Sequence, residues 1–469
     1  MSCPNKNKMK VILAGYNLDS EVIESLKRGE KLQDNVTPEV LSASYARISR
    51  DPRPINELRE ISRQEVGKAR KSNQNIIFKM GHHSVAEHAV FNFDIIDVSR
   101  FAMEEIEKFR LCAYTEKSQR YQKLEDNYVT PEEIKDPLFK QTIELQNLTY
   151  QKMIEKGVEP EDARYITALA TKGQLGLTVN ARNLELMFRR FASSKYAEVR
   201  ELGREMYKQV EKIAPSIILF TSPNALDRDT YREIEGIGMG KDKDKEKNER
   251  KQGEVALVGY TPDADEMTIA ALLHSTSNLP FRECREMAGK MREEQGKELI
   301  KTALKNMEFY DTTLREFEYA DLTFEIVLSA ACFGQLKRHR MATLTCQEYN
   351  PNLGITIPPK IKEAGMELAF TEVVEETEKA YRKLKNPYVL TNAHRKRVLF
   401  KCNARELYHI SRLREDAHAQ WDIQNISREM TELARKAMPL TMLTICGKDR
   451  YPEVYEKVFG RPPKIKAEF

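Results

Sequence analysis

Three stretches gather side chains capable of chemistry. Gly81-His-His-Ser-Val-Ala-Glu-His88 sets three imidazoles, a hydroxyl and a carboxylate just before an apolar run that begins at Val90. His82, Ser84, Glu87 and His88 could hold a polar ligand, and the same groups could equally close the start of a strand by bonding backbone and water. A metal is not expected, because no thiolate is near and no i, i+4 histidine pair falls on a helix. In Lys108-Phe-Arg-Leu-Cys-Ala-Tyr-Thr-Glu-Lys-Ser-Gln-Arg-Tyr121, Glu116, Ser118 and Arg120 fall at every second position, so an extended backbone turns all three to one side. A carboxylate, a hydroxyl and a guanidinium together suit a nucleotide, with the guanidinium on phosphate and the others on base or sugar. A solvated polar edge has the same pattern.

The third set lies far along the chain. Gln335-Leu-Lys-Arg-His-Arg340 ends an apolar helical pattern, with Gln335 and Arg338 three apart on one face. Cations there also suit the C-terminal end of a helix dipole without any function. Between Asn403 and Trp421, a helix aligns Asn403, Leu407, Arg414 and His418 along one stripe, and Arg405 and His409 belong to the same segment. Six of the eight histidines fall in these stretches, so the polar chemistry is concentrated.

The elements that must position these groups occur twice. Val11-Ile-Leu-Ala-Gly-Tyr16 returns as Val255-Ala-Leu-Val-Gly-Tyr260, the alternating Val90 to Ile96 run returns as Leu322 to Leu328, and Asn180-Ala-Arg182 returns as Asn403-Ala-Arg405. Strands mixed with long amphipathic helices, without regular strand-helix-strand alternation, predict an α+β chain of two homologous domains, each a mixed sheet packed with long helices. The expected boundaries are a first domain over 1–235, a charged linker over 236–253 with almost nothing to bury, and a second domain over 254–469.

Composition narrows the class. The 469 residues are 41% hydrophobic and 32% charged, and no run approaches the roughly 18 apolar residues of a membrane span. With 76 basic and 72 acidic side chains the net charge is +4, so no global field marks a nucleic-acid protein. Seven widely spaced cysteines without a Cys-x-x-Cys, and no leader-like start, predict a reduced, cytoplasmic protein.

Together the segments resemble the flavin-dependent thymidylate synthases, whose signature reads Arg-His-Arg, two residues, Ser, one residue, Asn-Glu, one residue, Ser, one residue, Arg-Tyr. In the first copy Arg110, Glu116, Ser118, Arg120 and Tyr121 match, while Lys108 and Phe109 stand where Arg and His are expected. In the second copy Arg338, His339 and Arg340 match, but Cys346, Glu348, Asn350 and Pro351 replace Glu, Ser, Arg and Tyr, and Phe191 of the first copy stands at the place of Arg414. Each half lacks what the other keeps. Cys346 is read as a small packed residue rather than a nucleophile.

The resemblance implies FAD, a dUMP-like nucleotide, methylenetetrahydrofolate and NADPH as the reacting partners. It implies conversion of dUMP to dTMP, in a homodimer forming a pseudo-tetramer. Glu116, Ser118, Arg120, Tyr121, Gln335, Arg338 and Arg414 would hold the nucleotide, with Ser118, Arg338 and Arg414 nearest the chemistry. His82, Ser84, Glu87, His88, Arg338, His339, Arg340, Asn403, Arg405, His409 and His418 would line the flavin. The rivals are an FAD enzyme with another uridine-like substrate and a nucleotide-binding homologue without catalysis.

Overall fold

A computed structural model describes residues 9–31, 33–121, 124, 127–238 and 254–464. It contains two four-stranded sheets of the same topology. Strands β1 (Lys10–Tyr16), β2 (Val90–Ser99), β3 (Cys112–Glu116) and β4 (Lys172–Asn180) run in the order β1-β2-β4-β3; β5 (Val255–Tyr260), β6 (Asp321–Ser329), β7 (Thr343–Cys346) and β8 (Arg395–Asn403) run β5-β6-β8-β7. The α+β class and the duplication are therefore as expected. Every pairing is antiparallel, so the sheets are of one kind where the sequence reading expected mixed ones. Long helical excursions separate the strands, and hydrophobic periodicity records which residues turn inward but not which way a returning strand runs.

Alternation fixes each register. Phe91, Phe93 and Ile95 are buried between exposed Asn92 and Asp94, and Leu322, Phe324 and Ile326 repeat the pattern in the second sheet. A slip of one residue would turn each set to the other face. Both sheets also break register at the same place, between Leu13 and Gly15 in one and Leu257 and Gly259 in the other. A shared bulge of this kind is an inherited feature rather than a local accident.

Each copy launches its helices from matched caps. Ser99 accepts from the Ala102 amide at the start of Arg100–Ile106, and Ser329 accepts from Cys332 at the start of Ala330–Leu336. Their hydroxyls donate to buried carboxylates, Ser99 to Glu198 at 2.5 Å and Ser329 to Asp422 at 2.6 Å. Asn180 caps Ala181–Ala192 and Asn403 caps Ala404–Arg414. A cap of this kind contributes about 1 kcal/mol and sets where the helix, and so every side chain on it, begins.

The chain divides into one unit of Met1–Lys247 with Pro359–Thr391 and a second of Asn248–Pro358 with Asn392–Phe469. The expected continuous 254–469 domain is thus interrupted. Helix Glu367–Leu384 packs with the first unit's helix Leu138–Glu155, burying Phe370, Val373 and Val374 from one and Phe139, Ile143 and Met153 from the other. Gln146 ties the arrangement by donating to Thr377 Oγ1 at 2.8 Å and to the Val389 carbonyl at 2.9 Å. An amphipathic face shows that a helix needs a partner, not which one. Of the expected linker, 236–238 close the helix Thr230–Gly238, and 239–253 lie outside the described residues.

Among the described residues no helix is long and apolar enough to cross a membrane.

Candidate functional site

In the second unit, helix Ala404–Arg414 presents two faces that carry candidate site residues. At its end, Arg414 Nε donates to His339 Nε2 at 2.9 Å, and an Nη donates to the Gln335 carbonyl at 3.2 Å. An imidazole nitrogen that accepts has no proton, so the ring proton of His339 sits on Nδ1, which faces Glu406 Oε1 at 3.5 Å. Burial first, then the charge of Arg414 and the nearby His409, holds the His339 pKa well below its ordinary range. Burial raises that of Glu406 against the pull of His409 and Arg405. His339 is therefore a neutral, orientation-locked imidazole. Around it, Gln335 Nε2 meets Gln420 at 3.2 Å and Arg338 Nε reaches the Gly334 carbonyl at 3.3 Å, while Arg340 is exposed.

A pH consequence follows directly. A depressed histidine pKa contributes stability that is complete above about 6.5, the unfolded value, and is lost as pH falls through the lower folded value. NMR titration of the labelled imidazoles is expected to show His339 staying neutral through pH 6.5 and below; a midpoint at or above that value would contradict the buried, Arg414-bonded ring.

The other face of the helix lines a cavity of about 240 Å³ with Arg405, His409 and Arg412, spaced i, i+4 and i+7. Phe309 to Thr313 and Lys448 also line it, with Met307, Tyr408 and Leu413. Arg405 is held by the Thr313 carbonyl at 2.8 Å, Thr312 Oγ1 at 3.0 Å and Glu318 at 2.9 Å. Arg412 donates to the carbonyls of Glu308 and Phe309 and lies over the Tyr451 ring at 4.2 Å. Its Nη2 and the Thr313 hydroxyl are buried without a hydrogen-bond partner. Arg405, His409 and Arg412, which line the cavity together, are groups that an oxygen-rich, anionic ligand would engage. Sequence reasoning named Arg405 and His409 but missed Arg412 and Thr313; the i+7 spacing from Arg405 was the available signal. The expected stripe holds only in part, since Asn403 is the cap and the helix ends at Arg414. His418 lies beyond it, its side chain 93% exposed and its Nδ1 2.8 Å from Asp416.

The first unit places its residues differently. His83–His88 form a short 3-10 turn with His82 at its head, and His82, Ser84 and His88 are exposed. The His88 ring meets Tyr45 edge-on at 4.5 Å, and Glu87 pairs with Arg182 at 2.5 Å, as Glu318 does with Arg405 in the second copy. Strand β3 ends at Glu116, which faces buried Arg100 at 3.2 Å. The extended backbone expected through Ser118 and Arg120 does not continue: Ser118 Oγ accepts the Arg120 amide at 3.1 Å in a local turn, and Arg120 Nε meets Glu161 at 2.5 Å. Serine offers the chain this alternative to a ladder. Tyr121 is exposed, with the Arg120 guanidinium 5.1 Å from its ring centre.

The identical registers allow the copies to be overlaid. Glu116 opposes Leu175 and Cys346 opposes Val398, so Cys346 occupies the place of Glu116; it packs against the apolar core. At the places of His339 and Arg414 the first unit has Phe109 and Phe191, whose rings meet edge-on at 5.7 Å. An aromatic pair has replaced a polar one.

The family described as thymidylate synthase complementing protein, Thy1, matches residues 31–216 and again 256–440. The chain is 30% identical over 220 residues to the flavin-dependent thymidylate synthase of Clostridium tetani, covering 42% of this chain and 87% of the relative. It is 31% identical over 205 residues to that of Geobacter sulfurreducens, again covering 42% and 87%. A solved structure of thymidylate synthase X from Helicobacter pylori with FAD and dUMP aligns with 43% of this chain and 92% of its own at 18% identity, with a TM-score of 0.34. Matched twice by one family across most of its length, the chain belongs to the Thy1 family of flavin-dependent thymidylate synthases.

Proposed function

We propose that the protein is a cytoplasmic FAD-dependent thymidylate synthase that methylates dUMP with methylenetetrahydrofolate and NADPH, and that it works as a homodimer. The observation that carries the reading is the second unit's cavity, which Arg405, His409 and Arg412 line together from one helix face. These donors fit the pyrophosphate and polar ring edge of a flavin dinucleotide. In this reading Arg405, His409, Arg412 and Thr313 hold the cofactor, with His339, Arg340 and Asn403 lining it. FAD, when bound, supplies the redox chemistry that turns a methylene into a methyl group.

The chain's own residues do the rest by holding and orienting. Arg338 and Arg414 present guanidinium groups to an anionic or carbonyl-rich pyrimidine nucleotide, with Gln335 beside them. Glu116, Ser118, Arg120 and Tyr121 are the first copy's nucleotide-binding set. Neutral His339, with its proton directed at Glu406, offers no positive charge of its own and fixes the Arg414 fork in place.

Because Phe109 and Phe191 replace the His339–Arg414 pair in the first unit, flavin is expected at no more than one per chain. Purified protein should show the flavin absorbance bands, and FAD released by denaturation should be counted against protein. Two per chain would contradict specialised copies, and a colourless protein that fails to take up FAD would contradict the flavoenzyme reading. The rate of reduced-flavin oxidation with and without dUMP then tests the acceptor.

A further inference from the structure

A second cavity, of about 410 Å³, lies elsewhere in the second unit and shares no lining residue with the first. Helix Glu293–Leu304 contributes Lys297 and Lys301, one turn apart on one face. Arg435 comes from the last turn of Trp421–Ala437, and Lys457 from the last turn of Tyr451–Phe459, with Arg450 just before that helix. Five cations therefore face a single carboxylate, Glu453. The floor between them is apolar, made by Leu443, Ile445, Val454 and Val458.

Helix dipoles account for a cation near each helix C-terminus taken singly. They do not account for convergence of three helices' cations on one concave place, nor for the lack of counter-ions. Among the described residues the side chains of Lys297, Lys301, Arg450 and Lys457 take part in no ion pair and no hydrogen bond, unlike Lys360, which pairs with Glu363, and Lys379, which pairs with Glu376. Arg435 is the exception in kind: it donates to the Ile445 carbonyl, which pins its guanidinium at the cavity wall. Four uncommitted like charges around one cavity repel one another, and an anion that enters relieves that repulsion.

We propose that this cavity binds a nucleoside triphosphate, the phosphate chain lying among Lys297, Lys301, Arg450 and Lys457 and the base against the apolar floor. The size suits a small ligand, since binding pockets run from roughly 300 to 1,000 Å³. Inorganic phosphate would use the rim and leave the floor exposed. An extended nucleic acid needs a basic stripe longer than one cavity, and the near-balanced charge of the chain supplies no such field.

The test uses the full-length, FAD-loaded chain. ATP and inorganic tripolyphosphate are titrated calorimetrically into wild type, into a Lys297→Glu, Lys301→Glu double variant, and into Lys457→Glu, in about 0.1 M salt so that diffuse attraction is screened. The expected result is ATP binding to wild type that is weakened at least tenfold in both charge-reversed proteins and retained in Arg414→Ala, with tripolyphosphate binding more weakly than ATP. Unchanged FAD content and thermal midpoint show that the substitutions leave the fold intact; Lys457→Glu alone serves if the double variant does not fold. No ATP binding to wild type, or binding unaffected by charge reversal, would overturn the proposal. A short DNA duplex that binds more tightly than ATP and is lost in the same variants would transfer the site to nucleic acid and overturn it equally.

Discussion

Arg414→Ala is expected to slow dUMP-dependent oxidation of the reduced flavin by about thirty-fold to nearly a thousand-fold, roughly 2–4 kcal/mol of lost interaction. Two losses combine. The nucleotide loses a guanidinium, and His339, 5% exposed, keeps a buried Nε2 acceptor with its 2.9 Å donor gone. A buried group left unpaired costs more than the bond it lost was worth, so the effect should exceed that of trimming a surface arginine. Arg414→Lys restores the charge but not the fork that reaches both His339 and the Gln335 carbonyl, and should fall between the two. Stopped-flow oxidation traces with saturating and absent dUMP decide the matter. A wild-type dUMP effect in Arg414→Ala would remove this residue from the nucleotide site.

The reciprocal change in the first copy should damage the fold instead of building a site. Phe191 is 2% exposed, its ring meets Phe109, and its side chain leaves no room at Gly203, where an added Cβ would lie 2.9 Å from Phe191 Cβ. Phe191→Arg would bury a guanidinium there without a partner, at a cost of about 4 kcal/mol or more. Phe191→Leu keeps an apolar side chain and should cost about 1–2 kcal/mol. Denaturant unfolding of the three proteins gives the order. If Phe191→Arg is as stable as wild type, the aromatic pair is not what closes this place, and the argument for one flavin per chain loses its basis.

Periodicity made the strands legible. Phe91, Phe93 and Ile95, and their counterparts Leu322, Phe324 and Ile326, declare a half-buried sheet by alternation alone, and the matched Gly-Tyr ends of β1 and β5 declare the duplication. The contact that organises the second unit's site was not legible, because Arg414 and His339 are 75 residues apart and only the tertiary fold brings them together. The Asn403 segment was read as a helix, but the face assigned to it extended one turn too far. Arg414 ends the helix, His418 turns to solvent, and the cavity face is the Arg405, His409, Arg412 row that the stripe left out. Ser118 shows the opposite error. Period-two spacing suggested a strand, and one hydroxyl accepting the amide two residues on was enough to make a turn. In each case the missing information was competition between a local pattern and a partner elsewhere.

Packing of Glu367–Leu384 on Leu138–Glu155 also constrains how the gene can change. Cut between the copies, the message would yield two polypeptides, the first exposing the face of Phe139, Ile143 and Met153 and the second carrying its cover. A surface of that kind favours aggregation until the missing segment is found at cellular concentration, whereas tethering supplies it at high effective concentration. The duplication thus acts as an evolutionary ratchet: once the helix had become part of the first copy's core, fission back to independently folding single copies would require several coordinated surface changes rather than one new stop codon.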